Sequence, residues 1–375
     1  WQEKKISVAL QKDLDKIVGQ NLNQEELNAL ADRIKKDLRE GDVNVKVAKG
    51  QTPDHVVVTF DVAGHGSTVA LNVSQFLYHS KQGRSGEGEA SYRHDANKFT
   101  FGLVSDADRL TERYAGIQAG FERYTLGTDR VGLRFKFKSL HEQWNRTTLQ
   151  TALPGELYRT RQHFSPEVVV RIAEPLEWTA GVDFARYRTF LPNPVALGPV
   201  ARTESSNAAV TTLRYRQRWD SGSDYKQEFT ASYGIRSGTG VLESDAIFTR
   251  QLATAGYEVK HGHQTLRASF LGGKIGGTAP LFERFVLGNA ETLRGWNKFD
   301  LTPRGATRAV HGSIDYIYRA LLLFWDTGSA WNVGDDPEQK QSLGVGLHSH
   351  GFELAVGFPV KTGRANPVVY VGMNF

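Results

Sequence analysis

The strongest constraint in this chain is a strict alternation of apolar and polar residues along many consecutive segments. Successive side chains of a strand point to opposite sides, so alternation of this kind gives a strand two different faces. Segments such as "RVGLRFKFKSL", "TLRYRQRW" and "TLRASFLGG" follow one another from residue 67 onward and count to roughly sixteen antiparallel strands. In the first of them, the apolar face carries Val131, Leu133, Phe135 and Phe137, and the polar face carries Arg130, Gly132, Arg134, Lys136 and Lys138.

Two architectures accommodate long alternating strands, and strand length separates them. In a soluble sandwich, the apolar face forms a dry core and strands average ~5–6 residues. In a membrane barrel, the apolar face meets lipid over ~9–11 residues, and charged side chains project into a wet lumen. No apolar run in the chain approaches the ~20 residues of a membrane-spanning helix. The long strands and their basic faces therefore predict a mainly β fold, an antiparallel transmembrane β-barrel of about sixteen strands over residues 67–375.

Residues 1–66 follow a helical period and then a period of two. In "ISVALQKDLDKIVG" the apolar residues repeat at helical intervals, and they do so again in "LNQEELNALADRIKKDLREGD" after Asn23, a predicted N-cap. "VNVKVAKG" and "HVVVTFDVAG" alternate around a turn marked by Gly50 and Pro53, which indicates a hairpin. The predicted order is helix, helix, strand, strand, in a small α+β domain.

Composition and motifs exclude several classes of chemistry. The chain has no cysteine, which rules out disulfides, zinc–thiolate sites and cysteine nucleophiles. It contains neither a G-x-S-x-G nucleophile elbow nor a Walker loop. The pairs "HGH" at 261–263 and "HSH" at 348–350 could ligate a metal, but hairpin-tip positions without a third ligand are the simpler interpretation. We therefore expect no catalytic residue, metal or cofactor, and no nucleic acid partner, because the arginines and lysines alternate into a lumen.

One long stretch breaks the alternation, and the chain ends on a strand. Residues 286–305, "VLGNAETLRGWNKFDLTPRG", lie between approximately the eleventh and twelfth strands and place an arginine and a tryptophan near their centre. The chain end, "PVVYVGMNF", alternates up to an aromatic residue. A terminal strand of this form resembles the signal that outer-membrane barrels present to their assembly machinery. The residues that carry this barrel-closure and targeting signal are Tyr370, Gly372 and Phe375.

These features together resemble one superfamily. "LRGW" is similar to the [V/L/I]-R-G-[F/Y/W] motif of outer-membrane proteins that combine periplasmic POTRA domains with a sixteen-stranded barrel. Further along, "GSIDYIYR" is similar to their S-x-E-Y strand and "FWDTGSAW" to their F-x-D-x-G strand. This superfamily, which includes the bacterial surface antigen family, contains assembly factors of the BamA and TamA type, two-partner-secretion transporters and barrels fused to patatin-like lipases. Order and spacing agree over essentially the whole chain.

The resemblance implies a set of residues that hold the irregular loop inside the barrel. On "ALLLFWDTGSAW" the alternation points Asp326 into the lumen. In the family the motif arginine, here Arg294, contacts this carboxylate position, and Asp315 is a second acceptor where the family usually has glutamate. Gly295 is expected to let the backbone turn tightly at the wall, and Trp296 to pack on inward aromatics. The expected anchoring residues are Arg294, Gly295, Trp296, Asp315, Phe324, Asp326 and Gly328.

The N-terminal unit resembles a POTRA domain with one departure. A POTRA domain begins with a strand, whereas the pattern here begins at the first helix, so that strand is missing or is supplied upstream of Trp1. The resemblance implies a POTRA domain at residues 1–66 in the periplasm and a bacterial outer-membrane barrel at residues 67–375.

The implied function is protein translocation or insertion without catalysis. The implied partners are an unfolded client or passenger polypeptide bound at a sheet edge of the POTRA domain, outer-membrane lipids, and the barrel assembly machinery during biogenesis. Three versions stay open. An assembly or insertion factor predicts a short, weak seam between the first and last strands, and a secretion transporter predicts an unobstructed lumen. A membrane anchor and export module predicts an upstream patatin-like lipase domain.

Overall fold

The computed structural model describes residues 7–38, 42–50, 55–63, 67–106, 109–191, 200–220, 225–361 and 366–373. The chain divides near residue 68 into two compact units. Within the described residues, no helix has both the length and the apolar character required to cross a bilayer.

The first unit contains two helices and a hairpin. Its elements are α1 (Val8–Ile17), α2 (Gln24–Leu38), β1 (Asp42–Lys49) and β2 (Val56–Ala63). Ser7 caps α1, since its hydroxyl accepts from the N–H of Leu10 at 3.3 Å. The carboxamide of Asn23 accepts from the N–H of Glu25 at 3.0 Å at the start of α2. The apolar stripes of both helices pack on one face of the antiparallel hairpin, and the predicted order of helix, helix, strand, strand is confirmed.

The second unit is a closed antiparallel β-barrel. Its strand segments are β3 (Thr68–His79), β4 (Gly83–His94), β5 (Asn97–Ser105), β6 (Arg113–Arg123), β7 (Val131–Gln143), β8 (Tyr158–Ala173), β9 (Leu176–Leu191), β10 (Val200–Ser205), β11 (Ala208–Asp220), β12 (Tyr225–Gly238), β13 (Phe248–His261), β14 (Gln264–Gly277), β15 (Arg308–Tyr318), β16 (Leu321–Trp331), β17 (Lys340–Ser349), β18 (Phe352–Val360) and β19 (Val368–Met373). The connections carry two short helices, α3 (Arg146–Thr151) and α4 (Lys298–Leu301). β3 pairs with β19, and this pairing closes the barrel.

An interruption at residues 206–207, with no change of register against β9, divides one strand of the barrel into β10 and β11. Both segments pair with β9. β11 pairs with Leu176–Asp183 of β9, and β10 pairs with Arg186–Leu191 of β9. Between them, the side chain of Asn207 accepts from the N–H of Ala185 at 3.2 Å and donates to the carbonyl of Leu242 at 2.8 Å. Because β10 and β11 form one interrupted strand, the barrel has sixteen strands, as the sequence predicts.

The alternation in the sequence becomes the two faces of the barrel wall. On β16, Leu321 and Leu323 are each 45% exposed on the outside, whereas Phe324 and Asp326 are buried on the inside. The predicted inward and outward faces of this strand are therefore confirmed. Large apolar side chains are exposed in the same way on other strands, among them Phe99, Phe164, Trp178, Leu213, Phe270, Val345 and Phe358.

The two ends of the barrel differ in the length of their connections. At one end the strands are joined by short turns, as at 95–96, 174–175, 262–263, 319–320 and 350–351. At the other end many connections are longer, as at 106–112, 144–157, 239–247, 278–307 and 332–339. We call this second end the loop end. Short periplasmic turns and longer extracellular loops are typical of bacterial outer-membrane barrels.

Candidate functional site inside the barrel

Residues 278–307, which we call the inner loop, join β14 to β15, the eleventh and twelfth strands of the barrel. Many of the loop's side chains are buried; Leu287, for example, is 1% exposed. The side chain of Asn289 shapes the loop by accepting from the N–H groups of Glu291 and Thr292 at 3.1 and 2.7 Å. Such local bonds satisfy backbone groups that an irregular buried segment would otherwise leave without partners.

Arg294 is held by two carboxylates on the barrel wall. Its backbone N–H and Nε donate to Oδ2 of Asp326 at 2.8 and 2.9 Å, and its Nη2 donates to Oδ1 of the same residue at 2.7 Å. Nη2 also donates to Oδ1 of Asp315 at 2.5 Å and to Oγ of Ser313 at 2.9 Å. Asp326 is fully buried and Arg294 is 7% exposed. The buried guanidinium of Arg294 and the buried carboxylate of Asp326 therefore compensate each other's charge. Hydrogen bonds between charged groups of this kind are about twice as strong as those between neutral groups.

The guanidinium of Arg294 also lies on an aromatic ring. Its Cζ is 3.8 Å from the ring centroid of Phe324, a cation–π contact. The ring lies over Gly344 on β17, where an added Cβ would come within 1.9 Å of the ring's Cζ. On the same wall, a Cβ at Gly328 would lie 3.2 Å from Cδ1 of Leu287 in the inner loop. The two glycines thus leave the space that the ring and the inner loop occupy.

Gly295 brings the backbone of the inner loop against β18. Its φ is +94°, and an added Cβ would lie 3.0 Å from the carbonyl carbon of Gly357. In the reverse direction, a Cβ at Gly357 would lie 2.7 Å from the nitrogen of Gly295. The N–H of Gly295 donates to the hydroxyl of Tyr370 on β19 at 2.7 Å. Both the backbone conformation and the close approach require glycine here.

Trp296 has partners that the sequence did not predict. The expected packing partners were inward aromatics such as Phe324. Its indole Nε1 instead donates to the carbonyl of Gln341 at 2.9 Å, and the ammonium groups of Lys340 and Lys361 lie 5.2 and 6.0 Å from its ring centroid. The two wall carboxylates hold the neighbouring guanidinium over the Phe324 ring, so that face is already covered.

Two further wall residues belong to this site, and the sequence reasoning missed both. Nε2 of His311 accepts from the N–H of Leu293 at 3.0 Å, and the hydroxyl of Ser313 donates to Oδ1 of Asp326 at 2.7 Å. Both share the inward face of β15 with Asp315. Counting alternate positions back from Asp315 would have found them.

A second group of contacts fastens the inner loop at the loop end. The carboxylate of Glu156 accepts from two arginines of the inner loop. Arg304 donates to it from Nε at 2.9 Å and from Nη2 at 2.5 Å, and Arg284 donates from Nη2 at 3.2 Å. Burial acts to raise the pKa of the Glu156 carboxyl, but hydrogen bonds, first among them those from Arg304, outweigh it and lower that pKa below its ordinary value. Glu156 therefore stays charged, and able to hold both arginines, at neutral and mildly acidic pH.

The lumen also contains a polar cavity of about 420 Å³ that the inner loop helps to line. Lys136 and Lys138, from the predicted inward face of β7, line its wall, and Glu283 of the inner loop lines it as well. Arg236 donates to both Asp183 and Glu283, so this part of the loop is tied to the wall too. The inner loop therefore occupies the lumen rather than projecting from it.

The closure between the first and last strands, which we call the seam, is short. The described pairing covers Phe76–His79 of β3 and Tyr370–Met373 of β19. By contrast, β12 and β13 pair along the whole of both strands. Of the predicted terminal signal, Tyr370 and Gly372 are buried on the inner face, and Phe375 lies outside the described residues.

The histidine pairs considered as metal ligands lie at hairpin ends. His261 is the last residue of β13, and His348 is near the end of β17, where its Nδ1 is 3.2 Å from Oε2 of Glu353. Over the part of the chain that the structure describes, no group of three or more histidine, aspartate or glutamate side chains is placed to hold a metal ion.

Sequence comparison gives a family and a partial relative. The profile of the Omp85 superfamily domain matches residues 81–363. The chain is also similar to the outer membrane protein assembly factor BamA of Nitratidesulfovibrio vulgaris, with 31% identity over 111 residues. That alignment covers 24% of this chain and 14% of the length of that protein.

Structure comparison finds the same barrel at low sequence identity. The chain is similar to BamA from Haemophilus ducreyi lacking POTRA domains 1–3, with a TM-score of 0.67 and 12% identity, over 98% of this chain and 82% of that one. It is also similar to CdiB from Acinetobacter baumannii, with a TM-score of 0.57 and 12% identity, over 99% of this chain and 72% of that one. These likenesses concern the fold, whereas the profile match covers most of the sequence. The chain belongs to the Omp85 superfamily.

Proposed function

We propose that this protein is a bacterial outer-membrane barrel that inserts client polypeptides into the membrane. The exposed apolar outer face and the unequal connections at the two ends support membrane placement, with the loop end outside and residues 1–66 in the periplasm as a POTRA domain. Membrane lipids and, during biogenesis, the barrel assembly machinery are then its partners. The protein performs no catalytic step.

The short seam is the observation that carries this proposal. Among the described residues, the pairing of Phe76–His79 with Tyr370–Met373 and the bond from the N–H of Ser80 to the carbonyl of Val369 leave few main-chain hydrogen bonds to break before the two strands separate. Strand edges released in this way are templates for an incoming strand. The inner loop occupies the lumen around Arg294, which argues against an unobstructed route for secretion. Insertion through an opened seam is therefore favoured over passage through the lumen and over a passive anchor for an upstream enzyme.

Locking the seam tests the proposal. Phe76 and Met373 are opposite each other on the outer face, where facing Cβ atoms lie ~4.5–5.5 Å apart, close to what a disulfide requires. The chain has no cysteine of its own, so Phe76→Cys/Met373→Cys introduces a single pair of thiols. In liposomes, the oxidised variant is expected to lose its acceleration of the insertion of a urea-unfolded outer-membrane barrel, and reductant is expected to restore it.

The matched control is a lock at another strand junction. Val259 and Leu266 face each other across β13 and β14, and Val259→Cys/Leu266→Cys should leave insertion unchanged when oxidised. If the oxidised seam variant inserts the client as fast as its reduced form, the seam is not the route and the proposal is wrong.

The edge of β1 is the proposed site of client capture. The N–H of Gly50 donates to the carbonyl of His55 at 2.8 Å, and hydrogen-bonded pairs alternate along an antiparallel ladder. With Val47 opposite Val58 in the register, this alternation directs the N–H of Val47 away from β2. Val47 is 43% exposed. A client strand added at this edge would accept a hydrogen bond from that N–H with little sequence specificity.

Val47→Pro is expected to weaken client binding, because proline removes this N–H while sparing the hydrogen bonds inside the hairpin. One lost main-chain hydrogen bond, worth ~0.5–1.5 kcal/mol, corresponds to a loss of about twofold to twelvefold in affinity. The measurement is fluorescence anisotropy of a labelled unfolded outer-membrane polypeptide with the full chain. Val47→Ala, which keeps the N–H, is the control, and equal affinities for the two variants would exclude capture at β1.

A further inference from the structure

The inner loop contacts both sides of the seam, in addition to the wall that holds Arg294. That wall is formed by β15 and β16, which carry Asp315 and Asp326. Neither of these strands takes part in the seam between β3 and β19. The loop is thus fixed independently of the two strands whose separation would open the barrel.

On the β19 side, the contact runs through Tyr370. This residue is fully buried, and its hydroxyl accepts from the N–H of Gly295 at 2.7 Å. Its ring packs edge-on against the imidazole of His79 on β3, with centroids 4.8 Å apart and an interplanar angle of 79°. His79 is opposite Tyr370 in the strand register. One tyrosine therefore joins the inner loop, the last strand and the first strand.

On the β3 side, the contact runs through Gln82, in the turn that follows the strand. Its Nε2 donates to the carbonyl of Gly288 at 2.9 Å and to Oδ1 of Asn297 at 3.2 Å. Its own N–H donates to the carbonyl of His79 at 3.1 Å. Gln82 is 8% exposed, so its amide is bonded to the loop in a largely water-excluded place. The inner loop therefore reaches the end of β3 as well.

We infer that Tyr370 and Gln82 are positioning residues of a latch, through which the inner loop holds the two seam strands together. The inference deepens the proposed function, since it rests on a seam that opens. While Arg294 seats the loop, β19 is tied to it through Tyr370 and the end of β3 through Gln82. A seam of few main-chain bonds is thereby reinforced by a third element. Thermodynamic linkage makes the coupling reciprocal, so opening the seam loosens the loop and displacing the loop loosens the seam.

The test is hydrogen exchange of the seam in the purified full chain in detergent, without any client. Tyr370→Phe keeps the ring and removes the hydroxyl that accepts from Gly295. Exchange in the peptides that cover Phe76–His79 and Tyr370–Met373 is expected to become about tenfold faster, because a local opening equilibrium follows the loss of a buried hydrogen bond. Gln82→Met, which removes the amide at similar size, is expected to accelerate the same peptides.

Tyr78→Phe is the matched control. Tyr78 is a seam residue of the same type, but it is 42% exposed and faces outward. This variant should leave seam exchange unchanged, and exchange across β12 and β13 should be unchanged in all variants, which verifies that the barrel stays folded. The latch is refuted if Tyr370→Phe and Gln82→Met accelerate exchange only in the inner loop, or if Tyr78→Phe acts as strongly as they do.

This readout separates the latch from the proposed function. If the seam variants exchange faster while a disulfide-locked seam still supports insertion, the latch stands and the insertion route is wrong. If the locked seam blocks insertion while the Tyr370 and Gln82 variants leave the rate of hydrogen exchange in the seam unchanged, the insertion route stands and the latch is wrong.

Discussion

Arg294→Ala and Asp326→Ala are each expected to unseat the inner loop and to destabilise its docked state by about 3–5 kcal/mol, as is usual when one partner of a buried ion pair is removed. The reason is that each substitution leaves the other charge buried in a place where water does not replace the lost partner. The measurement is the rate of chymotrypsin cleavage at Trp296 and Phe299 in the purified protein. This rate should be near zero in the unaltered protein and high in both variants.

The double variant should cost clearly less than the sum of the two single variants, because it removes both members of the most buried ion pair and leaves only the partly exposed Asp315 without its arginine. Coupling energies of ~0.5–3 kcal/mol are typical for residues in one hydrogen-bonded network. Arg109→Ala is the matched control, since Arg109 pairs with Glu291 of the same loop at 2.8 Å with the two side chains 55% and 39% exposed. An exposed pair is worth ~0–1 kcal/mol. Strictly additive losses, or a control as damaging as Arg294→Ala, would contradict the anchoring role.

Gly295→Ala is expected to prevent the inner loop from docking, although it adds a single methyl group. The residue has φ +94°, a region that costs an L-residue ~1–3 kcal/mol. The new Cβ would also lie 3.0 Å from the backbone of Gly357, which side-chain rotation cannot relieve, and such overpacking costs a further ~1–3 kcal/mol. Cleavage by chymotrypsin and the midpoint of heat-modifiable gel migration are the measurements.

Two other glycines separate the two costs. Gly334 has φ +95° with nothing within 4 Å of an added Cβ, so Gly334→Ala carries the backbone strain alone. At Gly357 no positive φ is involved, and a Cβ would lie 2.7 Å from the nitrogen of Gly295, so Gly357→Ala carries the steric cost alone. We expect Gly357→Ala to release the loop and Gly334→Ala to leave it docked. If Gly295→Ala behaves like Gly334→Ala, the close approach of loop and wall is not what requires glycine.

The sequence predicts the features of this fold that follow from the period of a strand. Alternation alone assigns the two faces of β16, with Leu321 and Leu323 outside and Asp326 inside. The count of sixteen strands and the position of the inner loop follow from the same pattern. The acceptors for Arg294 were named from the resemblance to a family, and the structure brings Arg294 together with both.

The remaining contacts could not be predicted, because they depend on which strands face each other across the lumen. Nothing in the local pattern relates Gln82 to Gly288, or Gly295 to Tyr370, since these partners meet only after the barrel closes. The partners found for Trp296, the carbonyl of Gln341 and two lysines, could not be predicted for a related reason. Trp296 lies in the irregular inner loop, where alternation gives its side chain no direction.

The two contacts that join the inner loop to the seam also constrain the order of events when the chain folds. Gly295 meets Tyr370 at a separation of 75 residues, and Gln82 meets Gly288 at a separation of 206. Contacts between such distant segments form late, because the chain between them must first be ordered. β19 is also synthesised after every other strand of the barrel. Complete docking of the inner loop therefore requires the first hairpin and the last strand to have met, so a docked loop marks a barrel whose circumference is already complete.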